Sequence, residues 1–187
     1  MKWKLPGTTL EVLPEEMPLV EERFRAMFMA GGIALSQVAA ITGLEPYTIQ
    51  NWVKRGFLTS PQQKRYSLRQ LCRILNINML KDALAMDQIC GLISYINGHL
   101  DDESDDIIDD SQLYFMFLRL ASNHREMNNP AGREVHLLKV LADYREPFPG
   151  AGERVQQVLR TMLTAWAAAQ LRQLAEKMVK DLKENDQ

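Results

Sequence analysis

The sequence predicts a mainly α-helical protein: a helix-turn-helix domain with a short wing, then a helical region that ends in one long helix. Three observations carry that expectation. Apolar residues recur at three- and four-residue spacing along most of the chain after Val20. Two short runs of this kind are joined by a connection of about four residues that contains Gly43. A last helical pattern runs through residues 153–183, about 45 Å at the usual rise per residue.

Residues 1–19 hold Pro6, Pro14 and Pro18 without a sustained period, and an irregular lead-in is expected there. Val20, Phe24, Met27 and Phe28 then form the stripe of an amphipathic helix that Gly31 and Gly32 end. Ser36 is placed to cap the next helix, whose buried face is Val38, Ala39 and Ile41 or Thr42, and Gly43 stands where a left-handed C-terminal residue is needed. Pro46 occupies a favoured first helical position and opens a helix with Ile49, Trp52 and Val53 inward, closed by Gly56. So short a connection makes the two helices cross steeply, and the small Ala39 lets them approach. FLTSPQQKRYS starts like a strand, turns at Pro61 and returns through Lys64, Arg65 and Tyr66, the pattern of a small β-wing. Ser67 caps a third helix with Leu68, Leu71, Cys72, Ile74 and Leu75 on its apolar side. Asp87 caps another, with Ile89, Leu92, Ile93 and Ile96 inward and Asn97-Gly98 at its end. The domain so defined covers residues 20–110.

Residues 111–187 read as a C-terminal helical region. Ser111 is placed to cap a helix that carries Leu113, Tyr114, Phe117, Leu118 and Ala121 and extends to about Met127. Asn129-Pro130 opens the next, with Val135, Leu138 and Leu141 inward, and EPFPGAG at 146–152 breaks it. In the final helix Val155, Leu159, Met162 and Trp166 are spaced four, three and four, and Ala167, Leu171, Leu174 and Met178 repeat the spacing after a one-residue shift. Two heptad-like repeats ask for a partner helix. A homodimer through these helices and packing within one bundle both satisfy that demand.

Charge is distributed unevenly. The 22 Lys and Arg nearly balance the 24 Asp and Glu. Residues 36–81, however, carry seven basic side chains (Lys54, Arg55, Lys64, Arg65, Arg69, Arg73, Lys81) against Glu45 alone, a net +6. Residues 82–110 carry nine acids and no Lys or Arg. A compact basic block is the electrostatic footprint expected for a polyanion, with the acidic segment turned away from it. If Ile49, Trp52 and Val53 face inward, the outer face of the second short helix presents Tyr47, Thr48, Gln50, Asn51, Lys54 and Arg55, all hydrogen-bond donors. Amide and hydroxyl groups read base edges in a major groove, while Lys and Arg suit the flanking phosphates. The wing adds Lys64, Arg65 and Tyr66.

The order of these elements resembles the MerR-type winged helix-turn-helix of bacterial transcription regulators. More narrowly, residues from about 20 to 120 resemble a bacterial family of uncharacterised proteins with a MerR-like DNA-binding domain. Trp52 with Gly56 and Leu58, the triplet Arg65-Tyr66-Ser67, and Ile77 through Ile89 carry the likeness. The wing is shorter than is usual in MerR proteins. The resemblance implies a DNA-binding transcription regulator acting on double-stranded DNA, with dimerisation through a C-terminal helix.

The stretch DDESDDIIDD at 101–110 fails as a calcium loop, lacking Gly at the sixth place and having Gln112 at the twelfth, and reads as a solvated acidic linker. His99, His124 and His136 share no metal-ligand spacing, and Cys72 and Cys90 have no Cys or His nearby that would make a zinc site. No phosphate loop, nucleophile motif or dinucleotide fingerprint occurs, so neither an enzyme nor a cofactor is expected. Two cysteines within helical patterns suit a reducing interior, and MKWKLPGTTL lacks the apolar core of a signal peptide. Residues 26–44 are uncharged, but Ser36, Gln37, Thr42 and three glycines interrupt them. A cytoplasmic protein without membrane contact is the expectation. The competing functional reading is a protein–protein interaction module whose helical tail binds a partner. A small-molecule effector would need a cavity among the C-terminal helices, lined by Tyr114, Phe117 and Trp166.

Overall fold

The computed structural model describes residues 2–123 and 130–185, at positions 103, 130, 131 and 185 through the backbone alone. It is mainly helical. Two antiparallel ribbons, β1 (Trp3–Lys4) with β2 (Glu11–Val12) and β3 (Ile33–Ala34) with β4 (Arg65–Tyr66), accompany the helices. The helices are α1 (Val20–Met27), α2 (Leu35–Thr42), α3 (Pro46–Lys54), α4 (Leu68–Leu80), α5 (Met86–Asn97), α6 (Asp110–Ala121), α7 (Pro130–Leu141) and α8 (Ala151–Asn185).

Helix α4 is the axis of the molecule. Its sequence LRQLCRILNINML places apolar residues nearly all round, and a helix of that kind must be surrounded. Leu71, Cys72, Ile74, Leu75, Ile77, Met79 and Leu80 are all buried. Helix α6 packs along it, and α2, α5 and α8 close the remaining sides. Ser67 starts α4 as expected: its Oγ accepts from the Gln70 backbone N–H at 3.2 Å, and Gln70 Oε1 accepts from the Ser67 N–H at 2.9 Å. Phe24 of α1 packs in the same core, its ring centroid 5.8 Å from Phe115 in an edge-on contact.

The N-terminal segment is not irregular. Trp3 pairs with Val12 and Lys4 with Glu11, and the turn between them is anchored from the core. Asn78 Nδ2 donates to the Gly7 carbonyl at 2.8 Å and to the Thr42 carbonyl at 2.9 Å. The Tyr114 hydroxyl donates to the Pro6 carbonyl at 2.9 Å. Leu5 is thereby buried, which a reading of turn residues alone overlooks.

Three expected caps each shift by two residues toward the N-terminus. Helix α2 begins at Leu35 with Gln37 Oε1 accepting from the Ala34 N–H, so Ser36 lies inside it. Helix α5 begins at Met86 with Gln88 Oε1 accepting from the Ala85 N–H, so Asp87 is a first-turn acid. At α6 the cap is Asp109, whose Oδ1 accepts from the Ser111 and Gln112 N–H groups. Gly43 does end α2 in the left-handed conformation, with φ +70°.

Residues 101–110 are a solvated linker only in their first half. Ile107 and Ile108 are buried, Asp110 is buried with them, and the Ile107 N–H donates to the Ile96 carbonyl. Apolar side chains interleaved with the acids pull this half onto the core. Helix α7 also turns differently from the expectation: Leu137 and Val140 face inward, while Val135 and Leu138 are exposed. The run VHLLKVL satisfies helical spacing in either phase, and the approach of α6 and α8 selects one. The expected ends at Met127 and Asn129 lie outside the described residues. Helix α8 exceeds the predicted span at both ends. Val155, Leu159, Met162 and Trp166 are buried as expected, whereas Leu171, Leu174, Met178 and Leu182 are 68%, 56%, 59% and 67% exposed. No described helix is long and apolar enough to cross a membrane.

Candidate nucleic-acid interface

Helix α3 is held by one side and open on the other. Pro46 sets its first turn, Ile49 and Trp52 bury beneath it, and Val53 is half-buried. Tyr47, Gln50, Asn51 and Lys54, at three- and four-residue intervals, share the opposite face and are exposed. Arg55 follows on the surface, its guanidinium 4.6 Å from the centre of the Phe57 ring. Thr48 is half-buried at the margin. Among the described residues no carboxylate pairs with Lys54, Arg55 or Lys64. Their charges are therefore available to an outside anion.

The basic return of the wing pairs with a different strand from the one expected. Residues 57–59 are not a strand, and β4 lies against β3, with Tyr66 opposite Ile33 and Arg65 opposite Ala34. A bridge between Gln62 and Arg65 closes a tight turn at Gln63 and Lys64, whose φ angles are +47° and +61°. Two consecutive left-handed residues make a hairpin turn of the primed type, normally built from Asn and Gly, and this turn carries Lys64 at its tip. Arg65 is exposed, and its Nη1 donates to the Gly32 carbonyl at 3.0 Å. Tyr66 does not face outward with Lys64 and Arg65 as expected: alternation along β4 sends it inward, where it is 3% exposed, and burial pushes its hydroxyl pKa up. It supports the ribbon from the core and presents almost no surface to an outside ligand.

The basic block divides in two. Arg69 and Arg73, one turn apart on α4, point at the packed half of the acidic stretch. Arg69 Nη2 donates to Asp106 Oδ2 and its Nε lies 3.8 Å from both Asp109 and Asp110. Arg73 Nη1 donates to Asp110 Oδ2 at 3.5 Å, and its Nε donates to the Phe57 carbonyl at 3.0 Å. Burial pushes the Asp110 carboxyl up to about 6, against the pull of both arginines. Asp106 is raised by the same cause. The acids thus neutralise the arginines of the core side and leave Lys54, Arg55, Lys64 and Arg65 facing out. The signal for this pairing was present as Arg69 and Arg73 at i and i+4 and as Asp106 and Asp110 at the same interval around two isoleucines.

Other candidate groups are accounted for locally. His99 Nδ1 lies 3.1 Å from Asp105, and His136 Nε2 lies 3.1 Å from the Arg119 carbonyl. His124 lies outside the described residues. Burial raises both thiol pKa values, so Cys72 and Cys90 are poor nucleophiles. Tyr114 and Phe117 are fully buried core residues rather than the lining of a cavity. Trp166 meets Phe117 edge-on, its ring centroid 6.0 Å away.

Residues 33–117, a little under half of the chain, match the model of a family described as a domain of unknown function, DUF1836. The match begins at β3 and ends within α6, so it spans both ribbon partners, α2 to α5 and the Arg–Asp cluster. No curated protein and no solved structure matches the chain.

Proposed function

We propose that this protein is a cytoplasmic, sequence-specific DNA-binding regulator, that residues 20–110 work as a MerR-like winged helix-turn-helix, and that α3 enters a major groove. The observation that carries the reading is the outer face of α3. Tyr47, Gln50, Asn51 and Lys54 are exposed on one side of a helix whose other side is fixed by Ile49 and Trp52. Gln50 and Asn51 supply amides of the type that read adenine edges, and Lys54 and Arg55 supply unpaired charge for phosphates. Lys64 at the hairpin tip and Arg65 behind it extend the positive surface from a second element.

A second copy is the partner that the exposed stripe of α8 suits, because an operator read by one helix per protomer is read twice by a two-fold dimer. The stripe also favours the second reading, in which the tail binds another protein and the helix-turn-helix has no DNA. Selection of bound fragments from bacterial genomic DNA separates the two. The regulator enriches discrete fragments, and Lys54→Glu with Arg55→Glu abolishes the enrichment without lowering thermal stability. Recovery of fragments unchanged by the double substitution would refute α3 as the reading element.

A further inference from the structure

A groove of about 930 Å³ lies between the N-terminal hairpin and α8, on a different side from the Arg–Asp cluster. Small-molecule sites fall in this range of volume. Its apolar lining includes Trp3, Leu44, Met79, Leu163 and Trp166. Lys2, Lys4, Lys81 and Arg133 also line it, against Asp82 as the one carboxylate among its described lining residues. That carboxylate already accepts from Gln173 Nε2 at 3.3 Å.

Arg133 is the informative residue. It is half-buried, no described carboxylate pairs with it, and its Nε is buried without a hydrogen-bond partner. A guanidinium N–H held out of water without an acceptor is costly, and an anion reaching Arg133 from the groove would compensate it. Lysines and two tryptophans on the same walls set the rest of the chemistry: negative charge on the occupant at one point, aromatic or aliphatic surface elsewhere.

We propose that this groove binds a small organic anion with an apolar body, an aromatic or medium-chain carboxylate or sulfonate, with its acid group at Arg133 and its body against Trp3 and Trp166. The groove is also bounded by Thr42, Gly43 and Leu44, the connection that sets α3. Asn78 and Thr9 tie that connection to the hairpin through the Thr42, Ala40 and Ile41 carbonyls. An occupant is therefore placed against the turn ahead of the recognition helix. Any effect on DNA rests on the regulator reading given above, whereas the binding itself does not.

The test is titration of the full chain with anilinonaphthalene sulfonate, following dye emission and tryptophan quenching. One saturable site is expected, displaced by octanoate and not by octanol or octylammonium at equal concentration. Arg133→Gln weakens the dye by about tenfold or more, the loss of one charged contact. If that variant does not fold, Ala167→Trp, which fills the groove from α8, must abolish saturable binding. Leu174→Lys with Met178→Lys leaves dye affinity unchanged, because neither residue lines the groove. The proposal is overturned if Arg133→Gln binds within twofold of the native chain, if octanol displaces as well as octanoate, or if the tail variant alone loses the dye. It is also overturned if binding appears only in the tail variant, since a second copy's helix would then be the natural occupant.

Discussion

Replacement of Asp110 by Asn gives the pH dependence of folding a specific shape. The carboxyl is buried and its pKa stands at about 6, against 3.8 for an unburied aspartate. Between these values the folded chain holds a proton that the unfolded chain has released. Stability therefore falls as pH rises, with the full contribution present below the unfolded value and lost once pH passes the folded one. The separation is about two pH units, which at about 1.4 kcal/mol each corresponds to a loss of about 3 kcal/mol. Asparagine keeps the shape and does not titrate. Urea unfolding of both proteins, followed by circular dichroism from about pH 4 to about pH 7, gives the difference directly. The advantage of the native chain over Asp110→Asn should shrink by about 2 kcal/mol across that interval, which begins just above the unfolded value. Parallel curves would mean that Asp110 titrates alike in the folded and unfolded chains, and an advantage that grows with pH would mean that attraction to Arg73 and Arg69 outweighs burial.

Further outcomes follow from the same structure. Leu171, Leu174, Met178, Val179 and Leu182 of the α8 tail are each more than half exposed, and a two-fold pairing of tails would cover this stripe. Leu174→Lys with Met178→Lys should weaken self-association by at least about tenfold in sedimentation equilibrium while the unfolding midpoint stays put; a monomeric native chain contradicts the pairing. Gln63→Asn with Lys64→Gly supplies residues suited to the two positive φ angles and should stabilise the hairpin by about 1 kcal/mol, read by thermal unfolding. The same variant should bind DNA less tightly because Lys64 is gone, and equal affinity would remove the hairpin tip from the interface.

Much of this arrangement is legible in the residues, and the parts that are not depend on contacts made far along the chain. The α2–α3 connection was readable because Gly43 and Pro46 are tied to backbone conformations that few other residues adopt. Ser67 was readable as a cap because Gln70 completes its box. The caps at Ser36, Asp87 and Ser111 were misplaced because a polar residue near a helix start is common. The firmer marker is the glutamine whose Oε1 accepts from the N-cap N–H, Gln37, Gln70 and Gln88 alike, although only Ser67 completes a box. Tyr66 and the packed acids depend on which strand and which helix arrive from elsewhere, β3 for the one and α4 for the others, and no local pattern states that. The hairpin at residues 3–12 is anchored by Asn78 and Tyr114, far along the chain, and so escaped local reading. The outward face of α3 needed only that Ile49 and Trp52 be inside. The groove at Arg133 joins five separate segments and has no sequence signal.

Contact between α3 and DNA, as proposed, is tested most directly by the salt dependence of binding to a fragment selected from genomic DNA. For the native chain log affinity should fall linearly with log salt, and Lys54→Ala with Arg55→Ala should flatten the slope by about two phosphate contacts. A native chain that binds no fragment at low salt, or a slope that the double substitution leaves unchanged, would rule out α3 as the DNA contact.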